Sequence, residues 1–319
     1  MSKKRLTKIK NALKAIPSLY FSIRSVNSQL VEDEYCYFPI QHIGDVVWAI
    51  QISNYILSKG SYGRKISLIV PSKLVFLKSY FPLIGRLFAH RSANPGNTIL
   101  LIFASMGGSL LGHVNLVPIW PKGPETLMSG RNMIDNLSLN IGLDPSNLKD
   151  ITPVEFSNDK LLEATNFIKS LNSRAKKGIL FCPEANTMNS LDKNTVISIS
   201  KKLVDAGYYI IINSHLDFET KISGMYVVNP TLEKILPLIK TIGSLLSVRS
   251  GICDLASLTD AHQVILYPNE ESRRLFTFKK YLKNSNLIDE IEIDSFPSIS
   301  SLTECIVRSF DRFHMAAIR

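Results

Sequence analysis

The sequence has no Cys-x-x-Cys pair, and its four cysteines, Cys36, Cys182, Cys253 and Cys305, stand far apart. That spacing suits neither a tetrahedral zinc site nor a disulfide framework, and it agrees with a reducing compartment. Also absent are a GxxxxGKS/T phosphate loop, a GxGxxG fingerprint, a GxSxG elbow, an HExxH helix and a DxD pair. Metal dependence therefore has no positive support in the sequence. Acidic residues are missing before Glu32, where Lys3, Lys4, Arg5, Lys8, Lys10, Lys14 and Arg24 supply seven cations. The net charge of +10 falls to +3 without that segment, so the body of the chain does not read as a nucleic-acid binder. No secretory signal is expected, because no continuous apolar run follows the basic start. Charge of either sign is missing from Ser92 to Pro121. Gly107, Gly108, Gly112, His113, Asn115 and Pro118 would interrupt a membrane span there, so a buried strand, a Gly-rich turn and a second strand are expected instead.

What is present reads as a globular α/β protein. At 319 residues, 45% of them hydrophobic and 20% charged, the chain is long enough for two domains with sizeable cores. Residues 4–16 place Leu6, Ile9, Leu13 and Ile16 at helical spacing opposite lysines, which reads either as a helix on an anionic membrane or as a capping or solvated terminus. Beyond it, apolar strand-like runs alternate with amphipathic helical stretches, the pattern of parallel sheets covered by helices. Strands are expected at 35–40, 65–70, 98–104, 115–120, 178–182, 208–212, 225–228, 244–248 and 264–267. Helices are expected at 46–58, 74–80, 131–141, 160–171, 193–206, 232–242 and 300–317, with Gly142 and Gly207 as stops. A Pro-containing polar stretch at 144–158 suits a linker. The expected organisation is a basic segment (1–30), a first Rossmann-like domain (31–150), a second (151–299) and a C-terminal helix (300–319) that returns to the first domain.

Open α/β sheets bind ligands where strands end and helices begin, and the motifs of interest fall at such points. His42-Ile43-Gly44-Asp45 follows the first strand. Gly44 allows a tight turn there. Asp45 is either a helix N-cap, stabilising by about 1 kcal/mol, or a general base facing a cleft. His42 is either structural or an acceptor contact. Arg249-Ser250-Gly251-Ile252-Cys253-Asp254-Leu255-Ala256 joins a strand to a helix. The amides of Ser250, Gly251 and Ile252 would cradle an anion, and Arg249 would add a forked contact to a diphosphate or else sit in a salt bridge. Pro183-Glu184-Ala185-Asn186-Thr187 also follows a strand, so Asn186, Thr187 and Lys193 are candidates for phosphate or sugar hydroxyls. Asn213-Ser214-His215 occupies the neighbouring strand end and is a candidate for base or ribose contact.

From about residue 36 to 270, the order of these elements resembles glycosyltransferase family 9, the heptosyltransferases of lipopolysaccharide synthesis. The shared marks are Gly44-Asp45 opening the first helix, a leucine-flanked helix end at Asn136–Leu143, and a strand running into Pro183. The family's donor motif, usually Asp-Ser/Thr-Gly-x-x-His-Leu-Ala, appears with Arg249 at the acidic position and Asp254 at the His position. The resemblance implies a GT-B fold of two facing Rossmann-like domains with the active site between them. It implies a nucleotide-sugar co-substrate, a glycan or lipid-linked glycan acceptor, no cofactor, and work at the cytoplasmic face of the membrane. On this reading Asp45 is the base of an inverting transfer, His42 and Gly44 lie on the acceptor side, and Arg249–Ile252 hold the donor. The departures in the donor motif point to a sugar nucleotide other than the family's usual ADP-heptose. Alternatives are a nucleotide-sugar epimerase or hydrolase on the same frame, and a non-catalytic nucleotide-binding protein.

Overall fold

A computed structural model describes residues 29–30, 34–39, 42–60, 65–90, 116–119, 130–171, 177–185, 188, 190–215 and 222–316. The basic helix expected at 4–16, the strand expected at 98–104, the Gly-rich turn, and Asn186 and Thr187 lie outside the described residues. Contacts divide the chain into two compact units, residues 1–148 and 149–319.

The first unit contains β1 (Glu34–Pro39), α1 (Ile43–Ser58), β2 (Lys65–Pro71), a 3₁₀ segment (Ser72–Tyr80), β3 (Leu87–His90), β4 (Leu116–Ile119) and α2 (Met133–Asn140). Its sheet has the order β3-β2-β1-β4, and every neighbouring pair is parallel. After Lys65, β2 is buried at every position. Its apolar residues Ile66, Leu68, Ile69 and Val70, interrupted only by the buried Ser67, have the near-continuous form expected of a strand covered on both faces. Helix α1 is buried from Gly44 to Ser53 without a break, and α2 packs against it. Gly142, with φ 83°, takes the left-handed backbone that ends α2, and the Leu143 amide reaches back to Ser138 O at 2.8 Å.

The second unit contains α3 (Asn158–Ser170), β5 (Lys177–Cys182), α4 (Lys193–Asp205), β6 (Tyr208–Asn213), β7 (Met225–Val228), α5 (Leu232–Ile242), β8 (Ser244–Val248), α6 (Gly251–Ala256), β9 (His262–Tyr267), α7 (Glu270–Phe276), β10 (Ile288–Glu292) and α8 (Ile299–Ala316). Its six parallel strands run in the order β10-β9-β8-β5-β6-β7. Counted from β5, that is 3-2-1-4-5-6 read from the β7 edge, the order of a dinucleotide-type Rossmann sheet. Strand β10 and helix α7 were not anticipated from the sequence.

The stretch expected as a linker is largely tied down. Leu148 is buried in the first unit, and Ile151 is buried in the second, bridged to Leu282. Asp150, between them, has φ 57°, a conformation that Asp tolerates better than most residues.

The C-terminal helix α8 buries Leu302, Ile306 and Phe310 in the core of the second unit, beside Val264, Leu266 and Tyr208. Their spacing of four residues makes one apolar stripe. Polar contacts anchor the same helix: Tyr208 donates to Asp311 Oδ1 at 2.8 Å, and Ser309 donates to Asp289 of β10. His262 of β9 stacks on Phe313 with centroids 4.5 Å apart.

Candidate active site

In each sheet the strand order reverses direction beside the first strand, the kind of point outside whose carboxyl ends open α/β sheets form ligand crevices. In the first unit the reversal falls at β1, flanked by β2 and β4. In the second it falls between β5 and β8. The chemistry-bearing motifs sit on the connections that leave these strands.

In the first unit, β1 leads to His42, which is the N-cap of α1 but makes no side-chain capping bond. Asp45 is therefore not the N-cap; it is the third residue of the helix, with 1% exposure. Gly44 lies inside the first helical turn, so the tight turn expected at that residue is instead a helix start. A carboxylate in the first turn benefits from the positive end of the helix dipole, which favours its ionised form.

In the second unit, β8 ends at Val248 and the turn passes through Arg249 and Ser250 into α6. Ser250 is the N-cap, with φ −152° and ψ 174°. Its hydroxyl makes no capping bond and is buried without a hydrogen-bond partner among the described residues. Gly251 and Ile252 open the helix, where backbone N–H groups have no intrahelical acceptor. Ser250, Gly251 and Ile252 stay partly exposed, while Cys253 to Ser257 are buried.

Arg249 does not stand as the free cation expected of a phosphate ligand. It is 4% exposed, and four hydrogen bonds hold it inside the unit. Its Nη1 and Nη2 form a fork on Asp254, at 2.7 and 2.8 Å. Nη1 also donates to Ser250 O at 2.8 Å, and Nε to Phe276 O at 3.0 Å. The guanidinium carbon lies 5.2 Å from the centre of the Phe278 ring. Burial is the largest influence on Arg249 and works against its charge, but Asp254, helped by Tyr267 and Cys253, outweighs it and raises the group above its ordinary value. Burial pushes the Cys182 and Cys253 thiols up, so neither offers a thiolate near neutral pH.

Beside this turn, the loop after β5 folds back on itself: the Leu191 amide donates to Pro183 O at 3.1 Å, and the Ala185 amide to Ser190 Oγ at 3.1 Å. Glu184 accepts a hydrogen bond from Ser214, which links the ends of β5 and β6. The one signal of Glu184 in the sequence is its place, an acid directly after the strand and Pro183. Asn213 donates to the Cys182 sulfur at 3.8 Å, and His215 Nδ1 lies 2.9 Å from Asn229 Nδ2. Lys193 is exposed at the start of α4, next to Asp192, which caps the helix through the Thr195 amide at 3.0 Å. The structure thus gathers Glu184, Ser214 and the Arg249–Ile252 turn on the connections at the carboxyl edge of one sheet.

No family model matches this sequence, and no curated protein matches it. The three-dimensional structure does have relatives. E. coli ADP-heptose lipopolysaccharide heptosyltransferase II is 13% identical, covers 90% of this chain and all of its own, and gives a TM-score of 0.64. A family 9 glycosyl transferase from Veillonella parvula is 14% identical over 83% of this chain and 87% of its own, at 0.57. E. coli heptosyltransferase WaaC with ADP is 12% identical over 86% and 99%, at 0.56. The chain has the fold of the family 9 glycosyltransferases. Identities this low carry the architecture and not the substrate.

Proposed function

We propose, from the fold shared with the family 9 heptosyltransferases, that this chain is an inverting, metal-independent glycosyltransferase. It moves a sugar from a nucleotide-sugar donor to a glycan acceptor of bacterial surface polysaccharide or lipopolysaccharide synthesis. One observation carries the reading: in both units the motif singled out from the sequence leaves a strand at which the sheet order reverses. Ligand crevices of open α/β sheets form at such strands.

In this mechanism the second unit holds the nucleoside diphosphate on the amides of Ser250, Gly251 and Ile252. The acceptor hydroxyl attacks the anomeric carbon from the face opposite the diphosphate. Asp45 takes the hydroxyl proton as the new C–O bond forms, and the bond from the anomeric carbon to the phosphate oxygen breaks. The diphosphate leaves with the bonding electrons, and the anomeric configuration inverts. Amide dipoles aimed at the departing charge supply the stabilisation that a metal ion provides elsewhere. Lys193, Asn186 and Thr187 are further donor contacts, and His42 lies on the acceptor side. The seven cations before Glu32 suit a peripheral hold on the anionic inner face of a membrane, where a lipid-linked acceptor would be met.

The test is a thermal-shift panel of ADP-, UDP-, GDP-, CMP- and dTDP-sugars, followed by a transfer assay with the donor that binds. A cognate donor at a hundred times its Kd stabilises by about 2.7 kcal/mol, a shift of several degrees. Absence of a shift with every donor would remove the reading. Donor consumption that needs no acceptor would replace it with hydrolysis or epimerisation.

A further inference from the structure

We infer that Arg249 is a positioning residue that sets the direction of the Gly251 N–H through the Ser250 carbonyl, and that it does not itself touch the donor. The inference rests on the functional reading above, because it assigns a part in donor binding to a residue that the protein's own groups surround.

The geometry is that of a clamp. Arg249 Nη1 donates to Ser250 O at 2.8 Å, and the Cys253 amide donates to the same oxygen at 3.0 Å. No peptide bond of the described chain is cis. In a trans peptide the C=O and the following N–H point in opposite directions. Holding the Ser250 oxygen inward, toward the buried guanidinium, therefore turns the Gly251 N–H outward, toward the partly exposed side of the turn. Asp254 completes the clamp: its two oxygens take one N–H from each Nη and fix the plane of the guanidinium. Phe276 O holds Nε from the third side, and Phe278 closes one face. A planar fork held this way meets the Ser250 oxygen at one angle, which a lysine ammonium cannot reproduce.

Two consequences distinguish a clamp from a direct counter-charge. A guanidinium bonded to phosphate would be opened to the ligand, whereas Arg249 is 4% exposed and commits all but one of its N–H groups. The Arg249–Asp254 pair is also close to neutral as a unit, so it adds little net attraction for an anion. Its contribution is the orientation of amides, which pre-organises the turn before a ligand arrives.

The experiment uses the full chain and a set of nucleoside diphosphates (ADP, UDP, GDP, CDP and dTDP), with binding read by titration calorimetry and folding by circular dichroism. Arg249→Lys keeps the charge and removes the fork. Arg249→Gln combined with Asp254→Asn removes both charges, keeps the bulk, and stays testable if the lysine variant fails to fold. Each folded variant is expected to bind the diphosphate that wild type prefers about tenfold or more weakly. The slope of log Kd against log salt is expected to stay as in wild type, since no ionic contact with the ligand has been lost. Wild-type affinity in folded Arg249→Lys or in the folded double variant would overturn the inference alone. A weakened variant with a shallower salt slope would also overturn it, in favour of direct contact. Wild type binding none of the diphosphates would overturn the functional reading, and this inference with it.

Discussion

Arg249 and Asp254 pair through two parallel hydrogen bonds, Nη1 to Oδ2 at 2.7 Å and Nη2 to Oδ1 at 2.8 Å, with both side chains almost fully buried. The pair spans the turn between β8 and α6, with the arginine just after the strand and the aspartate inside the helix. Removing one partner leaves the other charge buried. Asp254→Ala is expected to lower stability by about 3–5 kcal/mol in urea unfolding, while Arg249→Gln with Asp254→Asn costs less than the single change. A smaller loss for the single substitution would show that the pair is more hydrated than its burial indicates.

Asp45→Asn keeps the size and the helical position of the buried acid but removes its ability to take a proton. Donor affinity is expected to stay within about twofold, and turnover to fall by about 10²–10⁴-fold. A variant with near-normal turnover would reject Asp45 as the base and leave it a first-turn helix stabiliser.

Asp289 ties β10 to α8 and to β9, and its carboxyl is held down at about 2. The hydrogen bond from His262 is the largest cause, and Ser309 and Arg312 act in the same direction, while burial opposes them. Because the folded value lies below the ordinary carboxylate value of 3.8, this stabilisation is present above that pH. It is lost as pH falls toward 2. Wild type should therefore lose stability through that window, and Asp289→Asn should lose less, measured by urea unfolding at each pH. Parallel pH profiles would show that the contact contributes nothing in solution.

At the amino end of the first sheet, Gly85 passes close to Ser67, whose hydroxyl serves both Glu34 and the Arg86 amide. A methyl group at Gly85 would come 2.7 Å from Ser67 Oγ and 3.2 Å from Ile66 O. Gly85→Ala is expected to cost about 1–3 kcal/mol by forcing this network apart. Donor affinity should be untouched, because the network lies away from the carboxyl edge of the sheet. Wild-type stability in that variant would mean that the Ser67 side chain yields freely.

Much of this architecture is legible without coordinates, for local reasons. Ile66–Val70, interrupted only by Ser67, and Tyr208–Ile212 are short apolar runs of the kind a two-face-buried parallel strand requires. Gly142 and Gly207 mark helix ends because only a residue without a Cβ adopts their positive φ at little cost. Strands β3 and β10 escape such a reading. Among the described residues both are edge strands, and the Ile288-Asp289-Glu290-Ile291-Glu292 of β10 carries charges that resemble a loop until its neighbour β9 is known.

From the sequence alone came the alternation of strands and helices, the two-unit size, and the positions of Gly44-Asp45 and Arg249–Ala256 at strand ends. All follow from side-chain periodicity and backbone preference, which act over a few residues. The strand order, the docking of α8 on the second unit, and the pairing of Arg249 with Asp254 needed the tertiary structure. Backbone hydrogen bonds between parallel strands are indifferent to which strand supplies them, so neighbours are chosen by how the covering helices pack. An arginine likewise has no assigned partner until the chain has excluded water around it, and here that burial pairs Arg249 with Asp254.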